Sequence, residues 1–217
     1  MVSIDWYKSY AELSASEREG ISYLRRFKRR RSGIVVIAPH GGGIEPGTSE
    51  IARKIAGFLF SYCTFDGIRR EGNELLHITS TLFDEPNCLR LVTESEIALA
   101  IHGCGGDEQV VHVGGLHENL KTRLIGALAK AGFDARLAEA EFAGRQAQNI
   151  CNRGRLGQGV QLEISTGLRR AMFRKLDREG RKYTTDVFGR FTTSVHQELI
   201  AATKEMGIQK GLLFDLY

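Results

Sequence analysis

Ile34-Val35-Val36-Ile37-Ala38-Pro39-His40-Gly41-Gly42-Gly43-Ile44-Glu45 carries the strongest structural signal in the chain. Its first half is short, wholly apolar and β-branched, and is punctuated by proline and glycine, which is the pattern of a buried strand. The strand then expires in a histidine, three glycines and a glutamate. Glycine reaches backbone angles closed to other residues, so the chain can fold back tightly and return Glu45 beside His40 to share one ion. A glycine loop after a strand can also cradle phosphate, but neither Walker A nor GxGxxG spacing is present. The plainer alternative is a tight turn with a surface carboxylate.

The same design recurs at Ile97-Ala98-Leu99-Ala100-Ile101-His102-Gly103-Cys104-Gly105-Gly106-Asp107. One histidine at a strand end is weak evidence; two can converge at the same sheet edge. Two neutral imidazoles and one carboxylate, with a fourth position left to water, make a known form of catalytic zinc site. Cys104 is soft enough to ligate as well. A third strand end is Gln158-Gly159-Val160-Gln161-Leu162-Glu163-Ile164-Ser165-Thr166-Gly167-Leu168-Arg169. Here Gln161 and Glu163 share one face while Val160, Leu162 and Ile164 take the other. A carboxylate late in a buried strand is costly unless paired or functional, and it suits a general base. The competing reading is an edge strand with an ordinary surface glutamate.

Working outward, residues 7–30 read as an amphipathic helix capped by Ser14 or Ser16 and ending in the basic run Arg25–Arg31. Thr48–Phe60 is helical by pattern. Strands are expected at Ser61–Phe65, Glu74–Ile78, Glu96–Ile101, Gln109–Val113, Asp134–Leu137 and Val160–Ile164. Helices are expected at Asn87–Thr93, His117–Ala131 and Phe188–Met206, before an apolar tail, Leu212–Tyr217. Alternating strands and helices predict an α/β fold: a single domain with a mixed, largely parallel sheet and helices on both faces. In such sheets ligands gather at the carboxyl ends of strands. The division expected is a basic helical segment over 1–32 and a catalytic core over 33–217.

Bulk properties fit one domain. The chain has 217 residues, 42% of them hydrophobic, which excludes wholesale disorder. A net charge of +4 favours anionic partners without identifying them. The basic run lacks the aromatic interleaving of a single-strand nucleic-acid surface, so nucleic acid is disfavoured as a partner. No apolar stretch approaches the ~20 residues of a membrane span. The start, Met1–Tyr7, lacks the charged-then-apolar order of a signal peptide, so a cytoplasmic protein is expected. Cys63, Cys88, Cys104 and Cys151 show no CxxC spacing and read as buried free thiols.

With these segments in view, the sequence resembles the poly-γ-glutamate hydrolase family of bacteriophages and bacilli. The likeness is carried by Ala38–Thr48, Ile101-His102-Gly103, Asn149–Gly154 and Gly159–Glu163, and extends from about residue 30 to about residue 200. The resemblance implies a fold like zinc carboxypeptidases, cleavage of γ-glutamyl amide bonds in an anionic polymer, one zinc ion held by His40, Glu45 and His102, and Glu163 as the catalytic glutamate. Asn152-Arg153 is similar to the Asn-Arg pair that grips a substrate carboxylate in carboxypeptidases, and guanidinium suits that task. Arg169 is a second candidate for it. His77, near another expected strand end, is a candidate substrate contact. His112, His117 and His196 read as structural or solvated. Two rival functions stand beside this one: a zinc amidase or peptidase acting on another acidic amide, and a non-catalytic polyanion-binding module using the basic run.

Overall fold

The computed structural model describes residues 5–205 and Gly207; the tail Leu212–Tyr217 and residues 1–4 of the N-terminal segment lie outside the described residues. In chain order the elements are α1 (Tyr10–Ser16), β1 (Tyr23–Lys28), β2 (Ile34–Gly42), α2 (Thr48–Ala56), β3 (Ser61–Gly67), α3 (Pro86–Glu94), β4 (Ile97–Cys104), β5 (Val110–Gly115), α4 (Glu118–Lys130), β6 (Asp134–Leu137), β7 (Val160–Ser165), α5 (Thr166–Met172) and α6 (Asp186–Glu205). The seven strands form one sheet in the order β1-β3-β2-β4-β7-β5-β6. Pairs β3–β2, β2–β4, β4–β7 and β5–β6 are parallel, and β1–β3 and β7–β5 are antiparallel.

Alternation along the strands builds a core on each side. Ile34, Val36, Ile97, Leu99, Ile101, Val160, Leu162 and Ile164 pack with α2, α4, α5 and α6. Val35, Ile37, Cys63, Phe65, Ala98 and Ala100 face the other way, against Leu13 of α1 and Leu91 and Val92 of α3. The expected mixed, largely parallel sheet with helices on both faces is therefore present. Among the described residues no helix is long and apolar enough to cross a membrane.

Strand order locates the site. From β2 the chain passes to β3 on one side, then returns across β2 to β4 on the other. The junction of β2 and β4 is thus the topological switch point, where open α/β sheets bind ligands. These two strands pair only over Ile34–Ile37 and Ile97–Ala100. Beyond that register they part, and His40 and His102 stand at the lips of the gap.

Four expectations fail for identifiable reasons. The helix over 7–30 is confined to Tyr10–Ser16, with Ser9 as its cap, accepting from Glu12 N–H at 3.2 Å. It ends where Glu17 turns extended, at φ −113 and ψ 145, and Gly20 at φ 84 then bends the chain towards β1. The basic run then forms β1, whose arginines pair with acids: Arg25 with Glu19 and the buried Glu85, and Arg26 with Asp66. The basic helical segment expected within 1–32 is thus, over Tyr23–Lys28, a strand of the common sheet. The strand expected at Glu74–Ile78 is a 3₁₀ turn over Asn73–Leu76. There the Asn73 side chain bonds the backbone N–H and C=O of Arg69, at 2.9 Å each, and bends the chain.

The fourth failure concerns cysteine. Cys63 on β3 and Cys88 on α3 form a disulfide; Cys104 and Cys151 are free and buried. The link closes a loop with sequence separation 25, which contributes about 3.5 kcal/mol in the chain-entropy account. Denatured but unreduced protein should therefore titrate two thiols rather than four, and reduction should lower the unfolding midpoint. Four titrated thiols would remove the link.

Candidate metal centre and active site

A bulge puts the first histidine in place. Against β3, the β2 register shifts between Ala38 and Gly41, leaving one extra residue at Pro39–His40. Proline has no N–H to give to the ladder, so a bulge is where a strand tolerates it. By simple alternation His40 would follow Ile34, Val36 and Ala38 into the helical core formed with α2 and α6. The extra residue turns it to the opposite face, where its ring lies 3.9 Å from that of His77 and 5.0 Å from that of His102. Glycine then permits the fold-back. A Cβ on Gly41 would overlap Ser49 Oγ and the Asp66 carboxylate, and Gly42 sits at φ +67. The return is closed by Glu45 N–H donating to His40 C=O at 2.8 Å.

Three acceptor atoms now meet. His40 Nδ1 lies 3.0 Å from Glu45 Oε1 and 3.2 Å from His102 Nδ1, which is itself 3.7 Å from Glu45 Oε2. Both outer nitrogens face oxygen: His40 Nε2 the Ile78 carbonyl at 2.8 Å, and His102 Nε2 the Ser80 hydroxyl at 3.3 Å. With a cation at the centre, each Nε2 would carry the proton and each Nδ1 turn its lone pair inward, the outer oxygen orienting the ring as it does in metal-binding histidines. Glu45 Oε2 also accepts Gly103 N–H at 2.8 Å. Two lone pairs and a carboxylate in mutual contact call for a positive charge between them. The ionisation behaviour agrees. Burial alone would raise the Glu45 carboxyl, but the His40 charge and hydrogen bonds from both imidazoles hold it well below the usual carboxylate range. Burial alone would lower His102, yet Glu163 and Glu45 raise it. The donor set fits zinc.

His77 belongs to the same space. His40, Glu45 and His77 each bring a ligand atom within 4.8 Å of the others. His77 Nδ1 is held by Asp5 at 2.5 Å, leaving Nε2 available, and burial together with the His40 charge pushes the ring down to about 4. His102 Nδ1 makes direct contacts with both His40 and Glu45, and His77 flanks them.

Glu163 faces His102 across the β4–β7 register. Gln161 shares its face, donating Nε2–H to Glu163 Oε1 at 3.3 Å. β7 is an interior strand, which disposes of the edge-strand reading. Burial pushes the Glu163 carboxyl up to about 7, with the His102 charge opposing and the Glu45 charge adding.

The expected carboxylate receptors are placed otherwise. Asn152 is buried, its oxygen accepting from Leu116 and Gly159 N–H and its amide donating to the Gly144 and Gln146 carbonyls. Arg153 donates to the carbonyls of Gln148, Phe83 and Thr81, at 2.7, 3.0 and 2.5 Å. Arg169 donates to those of Ile164, Pro46 and Cys104, at 3.0, 2.9 and 2.9 Å, and lies where a Cβ on Gly103 would be. All three are braces of the site's loops, and none presents a free fork. Sequence cannot show this, because a guanidinium bound to carbonyls and one bound to substrate have the same spelling. Cys104 is not among the convergent ligand atoms, and burial pushes its thiol up to about 11.

Two histidines and a carboxylate thus meet at the switch point, with a second buried carboxylate one strand away. Comparison with known proteins shows the family. The family model described as poly-gamma-glutamate hydrolase matches residues 7–194, and the chain belongs to that family. A solved bacteriophage poly-gamma-glutamate hydrolase is 31% identical, with TM-score 0.89, covering 95% of this chain and 100% of that one. A zinc-free, apo structure of YndL is 35% identical, with TM-score 0.88, covering 92% and 99%. The N-formylglutamate amidohydrolase of Ralstonia eutropha JMP134, 9% identical over 88% and 99% of the two chains with TM-score 0.51, shares the fold alone.

Two outcomes follow from this geometry. Arg153→Ala should lower the unfolding temperature while leaving KM for acidic substrates nearly unchanged, because its donors hold carbonyls; a raised KM in a variant of normal stability would return Arg153 to substrate binding. Metal-free Glu163→Gln tests the buried acid. A carboxyl raised in the fold from 4.5 to about 7 binds its proton more tightly than the unfolded chain does, so wild-type stability falls as pH rises through that window. Glutamine lacks this penalty. The melting temperature of Glu163→Gln relative to wild type should therefore rise between pH 4.5 and pH 8, and a constant difference would contradict the burial of Glu163.

Proposed function

We propose that this protein hydrolyses γ-glutamyl amide bonds of poly-γ-glutamate, with one zinc ion held by His40, Glu45 and His102 and with Glu163 as general base. The observation that supports it above all is the inward convergence of His40 Nδ1, His102 Nδ1 and Glu45 Oε1, with both outer nitrogens facing oxygens. Bound there, zinc supplies Lewis acidity towards the scissile carbonyl and lowers the pKa of water.

The chain's own residues divide the remaining work. Glu163 takes the proton of the attacking water on its carboxylate and returns it to the departing nitrogen, so one residue serves both halves of the reaction. Gln161 fixes the direction of Glu163 through the 3.3 Å contact. Arg169 holds the ends of β4 and β7 and the Pro46 loop in register, and adds fixed positive charge near Glu45 and Glu163. Family membership supports the polymer as substrate.

Glu163→Gln keeps shape and abolishes proton transfer. It should retain zinc and the fold yet lose about 10²–10⁴-fold in kcat on poly-γ-glutamate, read by product sizing, and a chelator should silence the wild-type protein. Loss of zinc in this variant would recast Glu163 as a ligand. Near-normal turnover would move the base elsewhere.

A further inference from the structure

With Asn152, Arg153 and Arg169 committed to backbone groups, the receptor for the substrate's carboxylates lies elsewhere on the face that carries His102 and Glu163. The strand register leads to it. Glu163 is paired with His102 on one side and with His112 of β5 on the other. Residues directly opposed across two strands present their side chains to one face. Val111 and Val113 enter the opposite core, which places His112 on the Glu163 side. Beyond it the row ends at Arg136 of β6, whose Nε donates to Asp134 at 2.9 Å.

His112 differs from every other histidine. Each of the other five has a ring nitrogen hydrogen-bonded within the protein, whereas among the described residues neither nitrogen of His112 has a partner. It is half-buried, with its ring stacked on Phe142 at 5.5 Å and 28°. The segment carrying Phe142 is fastened over these strands: Phe142 C=O accepts from Gln161 Nε2 at 3.0 Å, and Ala143 C=O from Gly115 N–H at 2.8 Å. It also contains Ala140 at φ 45, the one positive-φ non-glycine among the described residues, a state that disfavours a side chain. The protein thus holds an unpartnered imidazole upright beside its buried carboxylate.

We propose that His112 receives the free α-carboxylate of the γ-linked residue flanking the scissile bond, by donating one ring N–H to it. An imidazole carries at least one N–H in either charge state, so the contact does not depend on protonation. A γ-linkage leaves every residue its α-carboxylate, whereas an α-linkage consumes it, so this contact selects for the linkage itself. His77, tied to Asp5, bounds the opposite side of the metal site. The inference rests on the poly-γ-glutamate hydrolase reading above.

The test compares a short γ-linked glutamate oligomer with the same oligomer bearing an α-carboxamide at the residue flanking the cleaved bond, on zinc-loaded wild type, His112→Ala and His112→Gln. Wild type should disfavour the carboxamide about tenfold or more, chiefly through KM, as expected for loss of a hydrogen bond to a charged group. In His112→Ala the discrimination should collapse, and in His112→Gln, which keeps an N–H donor, part of it should return. Should the alanine variant fail to fold, the glutamine variant and its intermediate discrimination carry the test. An equal loss on both substrates, with the wild-type ratio intact, assigns His112 a structural role and overturns the proposal. A zinc-loaded wild type that leaves both oligomers and the polymer uncut overturns the hydrolase reading and this inference with it, an outcome recognisable because no variant is needed to see it.

Discussion

One extra residue in β2 governs the rest of the site. A strand alternates its side chains, and Ile34, Val36 and Ala38 all enter the core beneath α2 and α6. Without the bulge at Pro39–His40, His40 would follow them, on the face away from His102 and Glu163. A bulge adds one residue to one strand and so reverses facing downstream of itself. His40, Glu45 and His102 can share a space because β2 is out of step with β3 at that point. Proline makes the irregularity inexpensive, since it has no ladder hydrogen bond to lose.

The second constraint is the parting of β2 and β4. Their pairing ends at Ile37 and Ala100, which leaves unpaired backbone at the mouth of the sheet. Glu45 crosses that mouth: one oxygen approaches His40 Nδ1 and the other accepts Gly103 N–H from β4. Arg169 performs the complementary task from below, joining carbonyls of Pro46, Cys104 and Ile164. Three separate segments are therefore held by one carboxylate and one guanidinium. Glycine at 103 is required for the second of these, because a Cβ there would lie 2.7 Å from Arg169 Cζ.

Fold class was legible because it rests on local pattern: buried parallel strands are written as apolar runs. The meeting of His40, Glu45 and His102 was legible as well, since both histidines close such runs and are followed by glycine. The failures share a different cause. β1 is an edge strand whose exposed residues are Arg26, Phe27 and Lys28, so its charges mimic a solvated helix end. Nothing in the spacing of Cys63 and Cys88 reveals that β3 and α3 bring them together. Guanidinium chemistry marks Arg153 and Arg169 as carboxylate receptors, and only the fold reveals that their donors end on carbonyls. His112 is the converse case. Its significance lies in register, opposite Glu163, and register between strands distant in sequence is not written in either strand.

The electrostatics of the centre connect metal occupancy with the base. Glu163 is drawn towards its neutral form by burial and by the Glu45 charge, while the charge on His102 draws it the other way. In the metal-free protein that positive charge is the His102 imidazolium, favoured by Glu163 and Glu45. A cation on the His40–Glu45–His102 set would replace it, as ligands must be deprotonated to bind. A fixed positive charge would then stand beside Glu163 and favour the ionised carboxylate. On the proposed reading, the ligand set thus does two things at once: it holds the ion, and through the ion it keeps Glu163 in the anionic form that can accept a proton. A base buried this deeply, without that neighbour, would be half protonated near neutral pH and correspondingly weakened.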